Sequence, residues 1–152
     1  MIKLNSKAML KGYKFIEMNG DCPDIYGHIA PYAMCRVVLR EFDGYPILTD
    51  KSYVWFLVFE KNRLVAWASI KKNKNVVKFV NAYVDPAHRR KGIHTELIHR
   101  RMDWCEKNGF INVEVDCMDS SLNQYLKLGF KQIKTFKKWH KLSAEIQTQE
   151  TV

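Results

Sequence analysis

Apolar and polar residues follow patterns in the first part of the chain that predict one strand and two helices. Residues 13–18 alternate with a period of two and predict a strand, which ends at the turn-forming residues 19–21. Between residues 23 and 42, apolar residues recur every three or four positions, and we expect two consecutive helices there. Residues 1–12 are polar and predict a loose start to the chain.

The middle of the chain contains three apolar runs separated by short polar turns. They span residues 53–59, 64–70 and 76–84, and they are rich in β-branched and aromatic residues. This pattern predicts three adjacent strands that form an antiparallel meander. Because each run is apolar on both of its faces, we expect both sides of the sheet to be covered.

Helices and strands alternate in the last part of the chain. Residues 93–105 carry an apolar stripe at helical spacing, and residues 111–117 alternate as a strand. A short helix follows, with Asp119 or Ser120 as its expected N-cap and Gly129 at its end.

The order of these elements predicts one domain of the α+β class, over residues 1–142. Residues 130–142 are expected to close it as a final strand or hairpin, and residues 143–152 are interpreted as a flexible tail. An antiparallel meander followed by a βαβ unit indicates a mixed sheet with helices on both faces. A chain of 152 residues is long enough for one such domain.

Composition excludes several classes of protein. No run of eighteen apolar residues occurs, so we expect no membrane span, and the N-terminus has no apolar stretch of signal-peptide length. The four cysteines are scattered without a close pair, which is typical of a reducing compartment, and we expect a cytoplasmic protein. The histidines have no spacing that suits a metal site.

The charge of the chain bears on its partners. The net charge of +9 and the pI of about 9.4 favour anionic ligands, although a basic surface can also serve solubility alone. Residues 131–141 mix lysines with Phe136 and Trp139, a composition that suits nucleic acid because cations bind phosphates and aromatic rings stack on bases. A strand with one buried aromatic face gives the same alternation, and the sequence favours this structural interpretation.

A basic loop between a strand and a helix is the strongest candidate for chemistry. The strand ends at Val84, and Pro86 stops its pairing because proline has no N–H to donate. Residues 89–91 are Arg-Arg-Lys, and Gly92 allows an anion to approach the backbone at the start of the next helix. The free N–H groups of a helix start bind phosphate, so this segment predicts a phosphate site.

In this segment the chain resembles the GNAT superfamily of N-acetyltransferases. Their motif Arg/Gln-x-x-Gly-x-Gly/Ala is matched by Arg89 and Gly92, with His94 at the last position. The preceding Val-x-Pro of the family corresponds to residues 84–86. A second signature, a tyrosine four residues before Gly-Phe, is matched by Tyr125. The resemblance covers residues 53–130, where the elements occur in the family's order.

The resemblance implies acetyl-CoA as the co-substrate, bound where the strands ending at Val84 and Cys117 separate. It implies that the backbone of Tyr83 and Val84 holds the pantetheine and thioester. It implies that Tyr125 protonates the departing thiolate as a general acid, although a core tyrosine would occupy the same helix position. The residues implied to hold the pyrophosphate are Arg89, Arg90, Lys91, Gly92, Ile93, His94 and Thr95.

Two departures from the family pattern leave alternatives open. His94 replaces a glycine, and its side chain could crowd the pyrophosphate or donate a hydrogen bond to it. No acid occurs in residues 76–83, where many relatives carry the base for the amine. Asp85, Glu114 and Asp116 are the nearest acids, and a water chain or an amine that arrives neutral would also suffice.

The resemblance implies direct transfer of an acetyl group from acetyl-CoA to an amine acceptor, which the sequence does not identify. One alternative is a relative directed at nucleic acid, tRNA or DNA, suggested by the net charge of +9. A second is an inactive binding protein that keeps the fold. The oligomeric state stays open, although homodimers are common among relatives.

Overall fold

The computed structural model describes residues 10–146, in which seven strands form one sheet and four α-helices pack against it. The strands are β1 (Tyr13–Asn19), β2 (Tyr53–Glu60), β3 (Arg63–Asn73), β4 (Val76–Val84), β5 (Asn112–Met118), β6 (Lys131–Phe136) and β7 (Trp139–Glu145). The helices are α1 (Pro23–Ala33), α2 (Arg36–Arg40), α3 (Ile93–Lys107) and α4 (Asp119–Lys127), and a 3-10 turn covers Pro86–His88.

The sheet is mixed, and its strand order is β1-β2-β3-β4-β5-β7-β6. Strands β1 to β4 pair antiparallel as a meander, while β4 and β5 pair parallel and are joined by α3 in a βαβ unit. The predicted α+β class and mixed sheet are therefore confirmed. The final strand or hairpin of the prediction is a hairpin, and β7 lies between β5 and β6.

Helices cover both faces of the sheet, as the apolar runs of β2 and β3 predict. On one face, α3 and α4 bury Leu97, Ile98 and Tyr125 against the sheet. On the other face, α1 and α2 pack Ile25 and Val38 against the strands. Strands β2 and β3 are buried on both sides because each contributes side chains to both layers.

Strands β4 and β5 separate halfway along their length. Their parallel pairing runs only from Val76 to Phe79 on β4. Just beyond that point, Val80 and Ala82 pair with consecutive residues of β3, so Asn81 is the additional residue of a β-bulge. A bulge bends its strand and increases the twist, and here it leads β4 away from β5. The gap between the two strands is therefore set by a backbone irregularity.

Two terminal predictions are wrong within the described residues. Residues 143–145 belong to β7 and pair with β5, and Ile146 is buried with its N–H bonded to the Ile111 carbonyl at 2.7 Å. Residues 143–146 are therefore not part of a flexible tail. Residues 147–152 of the predicted tail lie outside the described part, as do residues 1–9 of the predicted loose start. Residues 10–12 form a turn in which Leu10 is buried in the core.

The predicted N-cap of α4 is also wrong. Met118 occupies the cap position, and no side chain caps the helix within residues 10–146. Asp119 is the first helical residue, and its carboxylate accepts a hydrogen bond from His140 on β7 instead. His140, on a strand distant in sequence, therefore binds the carboxylate that local sequence preference predicts as the N-cap of α4.

Strand β6 is exposed along its whole length, so the interpretation of a strand with one buried aromatic face is wrong there. All six residues of β6 face solvent, including Ile133 and Phe136. The strand lies at the edge of the sheet, where lysines are typical because charge discourages pairing with other chains. Among the residues described, no helix has the length and apolarity needed to cross a membrane.

Candidate active site

The separation of β4 and β5 opens a cavity of about 1130 Å³. Its walls come from both strands, from the starts of α3 and α4, from the segment after α2 and from the β6–β7 hairpin. Most residues predicted to form the site line it: Tyr83, Val84, Arg89, Arg90, Gly92, Ile93, His94 and Tyr125. Lys91 and Thr95 do not line it. The fold therefore brings most of the predicted site residues, which are distant in sequence, to one cavity.

The loop before α3 turns into the helix through two left-handed residues. Gly92 occupies the N-cap with φ of 89°, and Arg90 has φ of 63°. A glycine adopts this backbone without strain, and a Cβ built at Gly92 would meet open space. Within residues 10–146, no side chain caps the start of α3. Gly92, Ile93 and His94 line the cavity, so the uncapped start of α3 lies at its wall, and an uncapped helix start is the arrangement that binds anions.

The guanidinium of Arg89 forms hydrogen bonds with other groups of the protein. Its Nε donates to the Val84 carbonyl at 2.8 Å, and Nη2 donates to both oxygens of Glu41 at 2.7 and 2.9 Å. The guanidinium also lies 5.5 Å from the ring centre of Tyr83. Arg89 thus fixes the end of β4 to the segment after α2, and Arg90 is a second exposed arginine of the loop that lines the cavity.

Lys91 turns away from the cavity toward the first strand. Its Nζ lies 3.5 Å from the hydroxyl of Tyr13, which in turn lies 2.8 Å from Nδ1 of His88. His88 lines the cavity, so this chain of contacts ties the loop to the far edge of the fold.

His94 points into the protein, toward α4. Its Nδ1 lies 2.6 Å from Oε1 of Gln124, and Nε2 of Gln124 donates to Thr95 at 2.7 Å. Its ring packs edge-on against Tyr125, with the ring centres 5.9 Å apart. Burial, and after it the charge of Arg101, lowers the pKa of His94 to about 4. The imidazole is therefore neutral at pH 7 and spans α3 and α4.

Tyr125 is buried in the wall of the cavity, where three neighbours fix it. Its ring packs edge-on against Phe130 at 5.2 Å between centres, as well as against His94. Nη2 of Arg101 lies 3.4 Å from its hydroxyl oxygen. A tyrosine that is held this way and still lines the cavity can present its hydroxyl to a ligand.

The opposite wall of the cavity is aromatic. Tyr83 stacks on Trp67 with ring centres 5.7 Å apart, and Phe42 stacks on the same indole at the same distance. Burial, followed by the charge of Glu41, raises the pKa of Tyr83. Phe42 and Tyr83 line the cavity, and Trp67 supports both rings from inside the core.

Of the acids nearest in sequence, only Asp116 lines the cavity, and it forms an ion pair with Lys78 at 2.7 Å. Asp85 pairs instead with Arg63 outside the cavity. Cys117 also lines the cavity, and burial followed by the charge of Asp116 raises the pKa of its thiol to about 11. A protonated thiol is a poor nucleophile, so Cys117 is not suited to nucleophilic attack at neutral pH.

Comparison with known proteins decides the family. A sequence profile described as the acetyltransferase (GNAT) family matches residues 17–130. This chain belongs to the GNAT acetyltransferase family. It is therefore an enzyme of the N-acetyltransferase type. No curated protein sequence matches it significantly.

Solved GNAT structures share the fold of this family member at low identity. The PaiA N-acetyltransferase of Thermoplasma acidophilum, in complex with coenzyme A, has a TM-score of 0.68 at 12% identity, over 88% of this chain and 98% of that one. The ribosomal-protein-S18-alanine N-acetyltransferase of Escherichia coli has a TM-score of 0.68 at 16% identity, over 91% and 99%. A GNAT-family acetyltransferase of Staphylococcus aureus has a TM-score of 0.67 at 12% identity, over 89% and 99%.

Sequence reasoning missed four residues of this GNAT site. Glu41 and Gln124 reach it through tertiary contacts that have no local sequence signal. Asn81 marks a bulge, which a run of strand-forming residues hides. Arg101 did have a signal, because it falls on the apolar stripe of α3, four residues after Leu97.

Proposed function

We propose that this GNAT protein transfers an acetyl group from acetyl-CoA to an amine by direct attack. One observation carries the proposal: one cavity joins an uncapped helix start, a stretch of β4 that has no partner on its β5 side, and the buried Tyr125. The first feature suits a pyrophosphate, the second suits the amides of pantetheine, and the third suits a departing thiolate.

The residues present fit coenzyme A by the chemistry of their donors. The backbone N–H groups of Ile93, His94 and Thr95 would hold the pyrophosphate, and Gly92 leaves space beside them. Arg90 would add positive charge beside the phosphates, whereas Lys91, whose Nζ lies by the Tyr13 hydroxyl, would not contact them. Arg89 would act indirectly, because its guanidinium holds Val84 and Glu41. The backbone of β4 at Tyr83 and Val84, which no longer pairs with β5, would receive the pantetheine.

His94 is compatible with this use of the loop. Its side chain bonds Gln124 and packs on Tyr125, so it does not fill the space where a pyrophosphate would approach Gly92. At the position where the family has a glycine, a neutral imidazole links α3 to α4.

In the proposed reaction, the amine nitrogen attacks the thioester carbonyl, a C–N bond forms and the C–S bond breaks. The sulfur takes the proton of the Tyr125 hydroxyl and leaves as the thiol of coenzyme A. Glu41 and Asp116, the carboxylates that we find in the cavity wall, are both held in ion pairs. We therefore propose that water accepts the proton that the amine loses. Water then returns a proton to the oxygen of Tyr125.

The decisive experiment is a thermal-shift titration with acetyl-CoA and CoA, followed by an assay of acetyl transfer to a panel of amines. A ligand that binds only the folded state raises the melting temperature. Wild type should be stabilised, and Gly92→Glu should lose that stabilisation. Gly109→Glu is the matched control: Gly109 has φ of 77° and open space around it, at the other end of α3.

If neither ligand stabilises wild type, the proposal fails and the chain is an inactive relative. If both glutamate variants lose the stabilisation equally, the effect comes from backbone strain and the cofactor lies elsewhere. If CoA binds but no amine is acetylated, the fold has kept the ligand without the reaction.

A second candidate is a GNAT enzyme whose amine is carried on nucleic acid. The observation that favours it is the exposure of all six residues of β6, in the same hairpin whose Phe136 and Trp139 line the cavity. Lysines on an exposed strand can bind phosphates, while the aromatic rings at the cavity can stack on a base. Cytoplasmic location stays a prediction, and the oligomeric state stays open.

A further inference from the structure

A fully buried arginine lies directly behind the proposed site. Arg101 on α3 has no exposed surface, and no carboxylate of residues 10–146 lies within ion-pair distance of it. Its Nε donates to the Leu97 carbonyl at 3.2 Å. The guanidinium lies 4.4 Å from the ring centre of Phe79. A buried cation without an acid is costly to keep, so a core position occupied by arginine calls for an explanation.

The remaining contacts of Arg101 reach both sides of the separation between β4 and β5. Nη1 lies 3.5 Å from the carbonyl of Val80, the first residue of β4 beyond its pairing with β5. Nη2 lies 3.4 Å from the hydroxyl of Tyr125 on α4. Arg101 itself does not line the cavity, but its partners Phe79, Val80 and Tyr125 do. The guanidinium therefore connects the two walls from behind.

The direction of the hydrogen bond matters for the chemistry. Arginine can only donate, so the Tyr125 oxygen accepts from Arg101 and its own proton must point elsewhere. The positive charge beside that oxygen stabilises the negative charge that develops as the proton leaves. The charge acts in a site shielded from water, where its effect is larger than on a surface.

We propose that Arg101 is a positioning residue for acetyl transfer, acting through Tyr125. It turns the Tyr125 proton toward the cavity and stabilises the oxygen while that proton moves to the departing sulfur. Its contact with Val80 fixes the phenol relative to the part of β4 that the thioester occupies in the proposed function, on which this inference rests. Arg101 touches neither ligand, so its effect should appear in the chemical step.

The test compares acetyl-transfer kinetics of wild type, Arg101→Leu, Tyr125→Phe and the double variant. Arg101→Leu should lower kcat by about ten- to a hundredfold while KM for acetyl-CoA changes less than about twofold. Its melting temperature should stay or rise, because leucine removes a buried, unpaired charge from an apolar stripe. The double variant should be no slower than Tyr125→Phe, because Arg101 acts through that hydroxyl.

Arg100→Leu is the matched control. Arg100 is the neighbouring residue of the same helix, pairs with Glu96 at 3.0 Å and covers Phe15, away from the cavity. The same change of charge there should leave kcat unaltered.

Distinct outcomes would overturn the inference. Wild-type kcat in Arg101→Leu, or losses that multiply in the double variant, would mean that Arg101 does not act through Tyr125. A fall in kcat with a lower melting temperature and weaker CoA stabilisation would mean that Arg101 only supports the fold. If wild type itself transfers no acetyl group, the proposed function fails and this inference fails with it.

Discussion

Glu41 and Arg89, 48 residues apart in sequence, are joined by two hydrogen bonds of 2.7 and 2.9 Å to one guanidinium nitrogen. The pair closes one side of the cavity by linking the segment after α2 to the loop before α3. It also neutralises the cation that stands over Tyr83. The first arginine of the phosphate loop thereby shapes the wall of the cavity.

We expect Glu41→Gln to weaken binding of a cationic amine. The change leaves Arg89 without its counter-charge at the cavity wall, and KM for the amine should rise by about fivefold, equivalent to about 1 kcal/mol. Stability should fall by less than about 1 kcal/mol, since both side chains are partly exposed. The measurement is steady-state kinetics of acetyl transfer together with urea unfolding.

The matched control for that experiment is Asp85→Asn. It breaks the ion pair with Arg63, near the same end of β4 but outside the cavity, and should leave KM unchanged. Equal effects of the two variants on KM would contradict a role of Glu41 in the site.

Tyr125→Phe should lower kcat by about a hundredfold or more, because it removes the proposed general acid. KM for acetyl-CoA should hardly change, since the ring contacts with His94 and Phe130 remain. Stopped-time assays with a good amine acceptor would give both constants. Tyr53→Phe, which removes another buried phenol outside the cavity, should keep wild-type kcat. Wild-type turnover in Tyr125→Phe would mean that water, and not Tyr125, donates the proton to the departing thiolate.

His94 should make the fold sensitive to mild acid. Its folded pKa of about 4 lies below the ordinary value of 6.5, so the unfolded state takes up a proton at pH values where the folded state does not. Stability from this residue is therefore complete above pH 6.5 and decreases as pH falls toward 4, by at most about 3 kcal/mol. Urea unfolding between pH 7.5 and pH 4 measures the slope.

In His94→Gln that slope should become smaller, because the amide does not titrate in this range. Thr95→Val is the control: it removes the acceptor of the Gln124 hydrogen bond but no titrating group, and should keep the wild-type slope. If the glutamine variant kept the full slope, the acid sensitivity would arise elsewhere.

Charge reversal on β6 tests the nucleic-acid candidate. Lys131→Glu/Lys134→Glu should weaken binding to RNA or DNA and reduce the slope of log affinity against log salt by about two. Lys14→Glu/Lys107→Glu makes the same change of net charge at exposed positions on β1 and α3. Binding is measured by fluorescence anisotropy over a range of salt. Equal losses in both variants would indicate unspecific attraction, and undetectable binding of wild type at low salt would end this candidate.

Local pattern determined the elements and the class of the fold. The apolar runs of β2 to β4 predict a sheet covered on both faces, and a strand that ends before Pro86 and a basic loop predict a helix start suited to phosphate. Such features depend on residues close in sequence, through side-chain period, turn chemistry and the missing N–H of proline. The family resemblance carried by Arg89, Gly92 and Tyr125 rests on the same local order.

Contacts between distant residues decided the rest. Glu41 binds the guanidinium of Arg89, and Gln124 forms a hydrogen bond with the imidazole of His94. Residues 143–145 form a strand because they pair with β5. Whether an arginine on an apolar stripe is tolerated depends on a carbonyl of β4 just beyond its pairing with β5 and on a phenol from α4. Sequence alone sets which groups a residue can offer. Only packing decides which partner lies close enough to interact with those groups, because hydrogen bonds and charge effects weaken within a few ångströms.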